Sequence, residues 1–241
     1  MVLLILADIH ANLSALQAVL GSAKRHPIDR AFILGDLIDY GMRPNEVISA
    51  VQMLPYLIDV SLWGNHEKAI IDNDLSRFGS PRGRAFSLFT QKILNRSSRE
   101  YITTKMTPEG RAEAVHDGKK FLCVHGSLSD VYWKSIHYEE AGEAYSGYDY
   151  VLSAHSHIPH YFEQWYPADN PKMRNKKKTT FINPGSVGQP RNHNPRAAYA
   201  VLDTVSGAVH FDNAPYDIDA EQKLYGDAVD DFYKTRLEAG V

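Results

Sequence analysis

Five short polar clusters, each following an apolar run, dominate the chain: Asp8-Ile9-His10, Gly35-Asp36-Leu37-Ile38-Asp39, Gly64-Asn65-His66-Glu67, His125-Gly126 and His155-Ser156-His157. The runs are rich in Val, Ile and Leu, and short apolar runs of this kind read as strands buried on both faces. A fold that satisfies all five must bring the clusters together at strand ends around one cavity. Imidazoles and carboxylates with no thiolate among them suit Mn, Fe, Zn, Co or Ni. The donors suffice for two ions, and a divalent pair roughly 3.5 to 4 Å apart is a common device for attacking phosphate esters with water.

The order of elements agrees with such a cavity. A strand over 2–9, a helix over 13–24 behind the capping residue Asn12, a strand over 30–35, a helix over 46–54 and a strand over 57–63 alternate along the first quarter of the chain. Alternation of this kind predicts a layered α/β architecture. A mostly helical stretch over 67–110, with helices at 67–72 and 83–98, lies between the third and fourth clusters and is expected to wall the site. The second half is sheet-rich, with strands over 120–124, 150–154, 179–182 and 198–203 and a hairpin turn at Thr204-Val205-Ser206-Gly207 leading to 208–211. A C-terminal helix over 219–239, bent near Gly226, offers Leu224, Ala228, Phe232 and Tyr233 to the core. The basic run Arg174-Asn175-Lys176-Lys177-Lys178 reads as a solvated loop, since nothing extends it.

With 241 residues, 44% of them apolar, and no Pro/Gly/Ser-rich linker, the chain reads as a single domain over 1–241. A net charge of -3 lacks the broad positive field that polyanions need, so duplex nucleic acid is not an expected partner. The apolar run over 2–7 has no basic leader and stops at Asp8, which makes it a first strand rather than a signal peptide. No run approaches the roughly 20 apolar residues of a membrane span. The single cysteine excludes an internal disulfide and fits a reducing compartment, so a cytoplasmic location is expected.

Within the clusters, alternation along a strand sends Asp8 and His10 to one side. Asp36 supplies two carboxylate oxygens, enough to bridge two cations, and Gly35 lets the backbone come close. Asn65 offers a carbonyl oxygen while His66 projects elsewhere. His125, His155 and His157 complete the set.

In order and wording the motifs resemble the calcineurin-like metallophosphoesterase superfamily, in which D-x-H, G-D-x-x-D, G-N-H-[DE], an H-G pair and G-H-x-H follow one another. The segment Asn183-Pro184-Gly185-Ser186-Val187-Gly188-Gln189-Pro190-Arg191 is similar to one in small bacterial and archaeal phosphodiesterase-type members. The resemblance implies two mixed β-sheets packed as a sandwich and flanked by helices. It implies one ion on Asp8, His10, Asp36 and His157, and a second on Asn65, His125, His155 and the shared Asp36. Manganese is the favoured metal. It further implies that His66 protonates or stabilises the leaving oxygen, oriented by Asp39, while a hydroxide bridging the ions attacks phosphorus. A buried imidazolium beside a carboxylate has the chemistry for that role.

The activity so implied is hydrolysis of phosphate mono- or diesters, a small phosphate ester such as a nucleotide or dinucleoside polyphosphate being the expected partner. The alternatives are a non-catalytic protein-binding scaffold on the same fold and a phosphoprotein phosphatase. The scaffold is disfavoured because His66 and every ligand position are intact. The phosphatases of the superfamily carry G-D-x-x-D-R-G, and Tyr40 stands here in place of their phosphate-gripping arginine. Arg43 or Arg191 is the expected replacement cation. Ala154 replaces the glycine that usually opens the last motif. Cys123 reads as a buried thiol rather than a nucleophile, and His160 and His193 are the nearest further histidines to the site. Phe78, Phe86, Phe89, Tyr132 and Trp133 are candidates to stack a base, with burial in the core the commoner fate of such residues.

Overall fold

The first strand, β1 (Val2–Leu6), is apolar at every position because it is covered on both faces. Leu3 and Ile5 point between two sheets, and Leu4 and Leu6 point towards helices. The computed structural model describes all residues, Met1–Val241. After β1 come α1 (Leu13–Ala23), β2 (Arg30–Ile33), α2 (Pro44–Gln52) and β3 (Leu57–Ser61), the alternation that the sequence predicts. Asn12 caps α1 by accepting the Ala15 amide at 3.0 Å, which satisfies one of the donors left free at a helix start.

The stretch after β3 holds α3 (Asn65–Ile71), α4 (Pro81–Ile93) and α5 (Arg96–Lys105). Then follow β4 (Arg111–His116), β5 (Lys119–Val124), β6 (Tyr150–Leu152), β7 (His160–Pro167), β8 (Lys176–Asn183), β9 (Ala197–Asp203) and β10 (Val209–Ala214), and the chain closes with α6 (Ile218–Gln222) and α7 (Phe232–Ala239).

Two five-stranded mixed sheets result, ordered β10-β9-β1-β2-β3 and β4-β5-β6-β8-β7. In the first, β1, β2 and β3 run parallel and β9 pairs antiparallel with β1. In the second, β5, β6 and β8 run parallel between antiparallel edges. The sheets pack face to face over Leu3, Ile5, Phe32, Leu34, Phe121, Leu152 and Ile182, all essentially without exposure. Each such side chain contributes about 1.5 to 3 kcal/mol on burial. A larger cluster joins the outer face of the first sheet to α1 and α2. The outer face of the second sheet is covered by an irregular segment that brings Ile136 and Tyr145 onto Val151 and Phe181. No helix is long and apolar enough to cross a membrane.

Several expectations are corrected. The first strand ends at Leu6 rather than residue 9, because Asp8, His10 and Ala11 adopt left-handed φ values of 51°, 47° and 51°. Strand alternation therefore does not explain why Asp8 and His10 face together. The basic run is not all loop: Lys176, Lys177 and Lys178 lie on β8, where Lys178 pairs with Glu163 at 2.7 Å across the ladder, and only Arg174 and Asn175 form the turn. The C-terminal helix is two helices, α6 and α7, separated by a non-helical stretch around Gly226 and the acidic residues after it.

Candidate metal centre

All six parallel strands deliver their carboxyl ends to one edge of the sandwich, and the polar clusters occupy the turns that follow. Asp8 and His10 follow β1, Asp36 and Asp39 follow β2, Asn65 and His66 open α3 just beyond β3. His125 follows β5, His155 and His157 follow β6, and Arg191 lies in the loop after β8. Asp8, His10, Asp36, Asp39, His155 and His157 all have φ between 47° and 72°. Left-handed backbone at a non-glycine residue costs roughly 1 kcal/mol or more each, and such residues gather where side chains must be aimed. Gly35 (φ 99°) has no freedom to change, since a Cβ there would come within 2.5 Å of the Gly64 nitrogen and 2.8 Å of His125 Nδ1.

One donor atom from each of Asp8, His10, Asp36 and His157 lies within 4.8 Å of the others, and so do those of Asp36, His125 and His155. Asp36 belongs to both groups. Its Oδ2 is 3.7 Å from His10 Nε2 and 3.3 Å from His125 Nε2. Asn65 Oδ1 sits 3.0 Å from His125 Nε2 and 2.9 Å from His155 Nδ1, which brings it into the second group. The side chains named from the sequence as ligands are therefore gathered in one place, in two groups that meet at Asp36.

The imidazoles are held in the tautomer a cation needs. Nδ1 of His10, His125 and His157 donates to the backbone oxygens of Ile38 (3.2 Å), Leu34 (2.7 Å) and Gln189 (2.6 Å), leaving each Nε2 lone pair turned inward. The Nε2 atoms of His10 and His157 are only 3.1 Å apart, and both oxygens of Asp8 and Oδ2 of Asp36 are buried with no hydrogen-bond partner. Facing lone pairs and orphaned carboxylate oxygens are costly in a protein interior unless a cation satisfies them. The residues present thus fit divalent metal ions. Burial lowers the pKa of His10 and His157 well below the ordinary range and takes His155 to about 3, so these rings are neutral and available to ligate. Burial, with the nearby Asp36 charge, raises Asp8 to about 7.

His66 stands apart from the donor groups. Its Nδ1 meets Asp39 Oδ2 at 2.6 Å, and Asp39 also accepts from Ser87 Oγ at 2.5 Å and Thr90 Oγ1 at 2.9 Å, both on α4. Burial lowers the His66 pKa, but the charges of Asp36, Asp39 and Glu67 and the Asp39 hydrogen bond outweigh it and hold the ring above its ordinary value. Glu67 has a role that its motif alone does not reveal. This fully buried carboxylate accepts the backbone amides of Asp36 (2.9 Å), Leu37 (2.7 Å), Ile38 (3.2 Å) and Gly64 (2.8 Å), and so clamps the two loops that carry Asp36 and Asn65. The available signal is an acidic residue three positions after Gly64, in the first turn of α3.

A cavity of about 210 Å³ opens over the centre, lined by Asp36, Asn65, His66, His155 and His157 together with Tyr40, Arg77, Phe78, Gly79, Ser80, Trp133 and Arg191. A profile of the calcineurin-like phosphoesterase superfamily domain matches residues 1–207. The chain belongs to the calcineurin-like phosphoesterase superfamily. Members of this family are metal-dependent hydrolases of phosphoester bonds, and the clustered Asp and His side chains are its candidate ligands here. A metallophosphoesterase from Sphaerobacter thermophilus is 29% identical, each chain covered in full, with a TM-score of 0.76. The Pyrococcus horikoshii OT3 hypothetical protein PH1004 has a TM-score of 0.81 at 22% identity over 100% of this chain and 98% of its own, a likeness of fold. A Methanocaldococcus jannaschii relative called uncharacterized protein MJ0912 is 27% identical over 98% of this chain and 97% of its length.

Within this family setting, two expectations about the cavity are corrected. Arg43 is not at the cavity: its guanidinium pairs with the fully buried Glu221 and donates to Ser14 Oγ at 2.7 Å, tying α2 to the C-terminal segment. Of the aromatic candidates, Phe78 and Trp133 line the cavity, whereas Phe86 packs with Tyr225, Tyr233 and Leu237, Phe89 flanks that cluster, and Tyr132 turns its hydroxyl to the Pro108 carbonyl. His160 and His193 also lie outside the lining. Cys123 is fully buried between the sheets, with its thiol pushed up by burial, as expected of a core residue.

Proposed function

We propose that the protein hydrolyses small phosphate mono- or diesters at this centre, with Asp8, His10, Asp36 and His157 holding one divalent ion and Asp36, Asn65, His125 and His155 the other. Manganese is the first metal to test. The observation that carries the reading is the pair of donor groups sharing Asp36 directly beneath a cavity that also contains His66. When bound, the ions supply a lowered pKa for water and positive charge against the phosphoryl oxygens.

This chain's own residues do the rest. Arg191, on the lining, neutralises a nonbridging oxygen in place of the arginine that Tyr40 replaces. As the water oxygen bonds to phosphorus and the ester P–O bond breaks, His66, whose proton affinity Asp39 helps to raise, gives a proton to the departing oxygen. Glu67 keeps the Asp36 and Asn65 loops in register throughout. Phe78 and Trp133 give the mouth an apolar wall suited to an aromatic group such as a nucleobase.

The test is a screen of the manganese-loaded protein against p-nitrophenyl phosphate, bis-p-nitrophenyl phosphate, cyclic nucleotides and diadenosine polyphosphates. Metal-dependent turnover of at least one is expected. No turnover with Mn, Zn, Co, Ni or Fe would overturn the reading.

A further inference from the structure

We propose that a second anion subsite adjoins the metal centre, built from the guanidinium groups of Arg191, Arg236 and Arg82, and that it receives the second phosphate of a substrate carrying a diphosphate. The proposal rests on the phosphoesterase reading and narrows its substrate class.

Three elements bring these cations together. Arg191 lies on the cavity lining beside His157, and its Nε is buried with no hydrogen-bond partner. Ser80 also lines the cavity and caps α4, so that Arg82 stands in the first turn of a 13-residue helix whose positive end faces this side. Arg236 lies on α7, where Tyr233 stacks on the cavity residue Tyr40 with ring centres 4.7 Å apart and planes 20° apart. The guanidinium carbons of Arg82 and Arg236 sit 3.8 and 5.0 Å from the centre of the same ring, Phe232.

Four arginines pair with carboxylate side chains, Arg25 with Asp212, Arg30 with Asp59, Arg43 with Glu221 and, on the cavity lining itself, Arg77 with Asp130. Arg191, Arg236 and Arg82 meet no Asp or Glu side chain. Arg236 gives only its Nε, to the Val241 carbonyl, and Asp230 turns to the Phe232 amide at 2.9 Å rather than to a guanidinium. Burial and the charges of Arg191 and Arg82 pull Arg236 down to about 10, in keeping with guanidinium groups that lie near one another. A forked guanidinium is the side chain best matched to phosphate oxygens, and three of them exceed what one phosphate already facing two metal ions requires. The neighbouring phosphate of a diphosphate is one bridging oxygen away and supplies the missing charge.

The full-length, manganese-loaded protein is titrated calorimetrically with methylenediphosphonate and with methylphosphonate, and the ratio of the two affinities is read. The unmutated protein should prefer the diphosphonate, with that preference falling about tenfold in Arg236→Gln and in Arg82→Gln, and held in part by Arg236→Lys. Arg82 is exposed, so its replacement leaves folding intact. An unchanged ratio in both glutamine variants overturns the proposal. If bis-p-nitrophenyl phosphate is hydrolysed while the ratio ignores the arginines, the subsite fails and the phosphoesterase reading stands. If nothing is hydrolysed while the arginines still set the ratio, the subsite stands and that reading fails.

Discussion

His66 Nδ1 lies 2.6 Å from Asp39 Oδ2, with both side chains nearly or fully buried and the carboxylate fixed further by Ser87 and Thr90 of α4. The pair aims an imidazole into the cavity without placing it among the metal-facing donors. His66→Ala should therefore cut kcat on a model diester by about a hundredfold or more while metal content stays near that of the unmutated protein. Parallel kinetics and elemental analysis check this. Equal turnover in the variant, or loss of metal in step with activity, contradicts the assigned role.

Asp36 is the one residue common to both donor groups. Asp36→Asn removes the charge that would face two cations and should lose both metal and activity, whereas His155→Ala, in one group only, should retain part of the metal. Elemental analysis of the two variants checks the order. Two ions at full occupancy in Asp36→Asn would refute its bridging position.

The candidate site was legible because its chemistry is concentrated in short motifs at strand ends, where the donor types alone narrow the possibilities. The reason for its geometry was not legible: Asp8 and His10 converge through left-handed turns, which a pattern of apolar and polar residues does not reveal. Buried strands such as β1 and β5 stood out as apolar runs. The edge strands β4 and β7 did not, since Arg111–His116 is half solvated and His160–Pro167 buries only Tyr166. Burial alternates along β4 but not along β7, and exposed edges dilute such a pattern with charged residues. Arg43 lay close to the Asp39 motif in sequence, yet its partner Glu221 is 178 residues away, and no local signal announces such a pairing.

Arg43 and Glu221 form a structural pair. Glu221 is fully buried, and its Oε1 has no other partner. Removing the cation strands a buried charge, so Arg43→Ala should destabilise the protein by about 3 kcal/mol. The double replacement Arg43→Met with Glu221→Leu should recover most of that loss. Urea unfolding of the three proteins measures it, and an Arg43→Ala midpoint equal to that of the unmutated protein would dissolve the pair's importance.

Asp212, on β10, gives a pH-dependent case away from the centre. Burial pushes its carboxyl up, but the hydrogen bonds from Arg25 at 2.5 Å and His26 at 3.2 Å outweigh burial and hold it below the ordinary value of 3.8. A carboxyl depressed in the folded state adds stability that is fully present above its unfolded pKa and fades as pH falls through the folded one. Asp212→Asn should accordingly cost less than about 1 kcal/mol at pH 7, since Arg25 is half exposed and the pair is screened. That cost should hold level while the pH stays above the ordinary carboxyl value and shrink as the pH falls through the lower folded value, below which both proteins carry an uncharged group at this position. Unfolding curves over that pH range check the trend, and a cost that grows with acid would show that some other group governs this edge of the sheet.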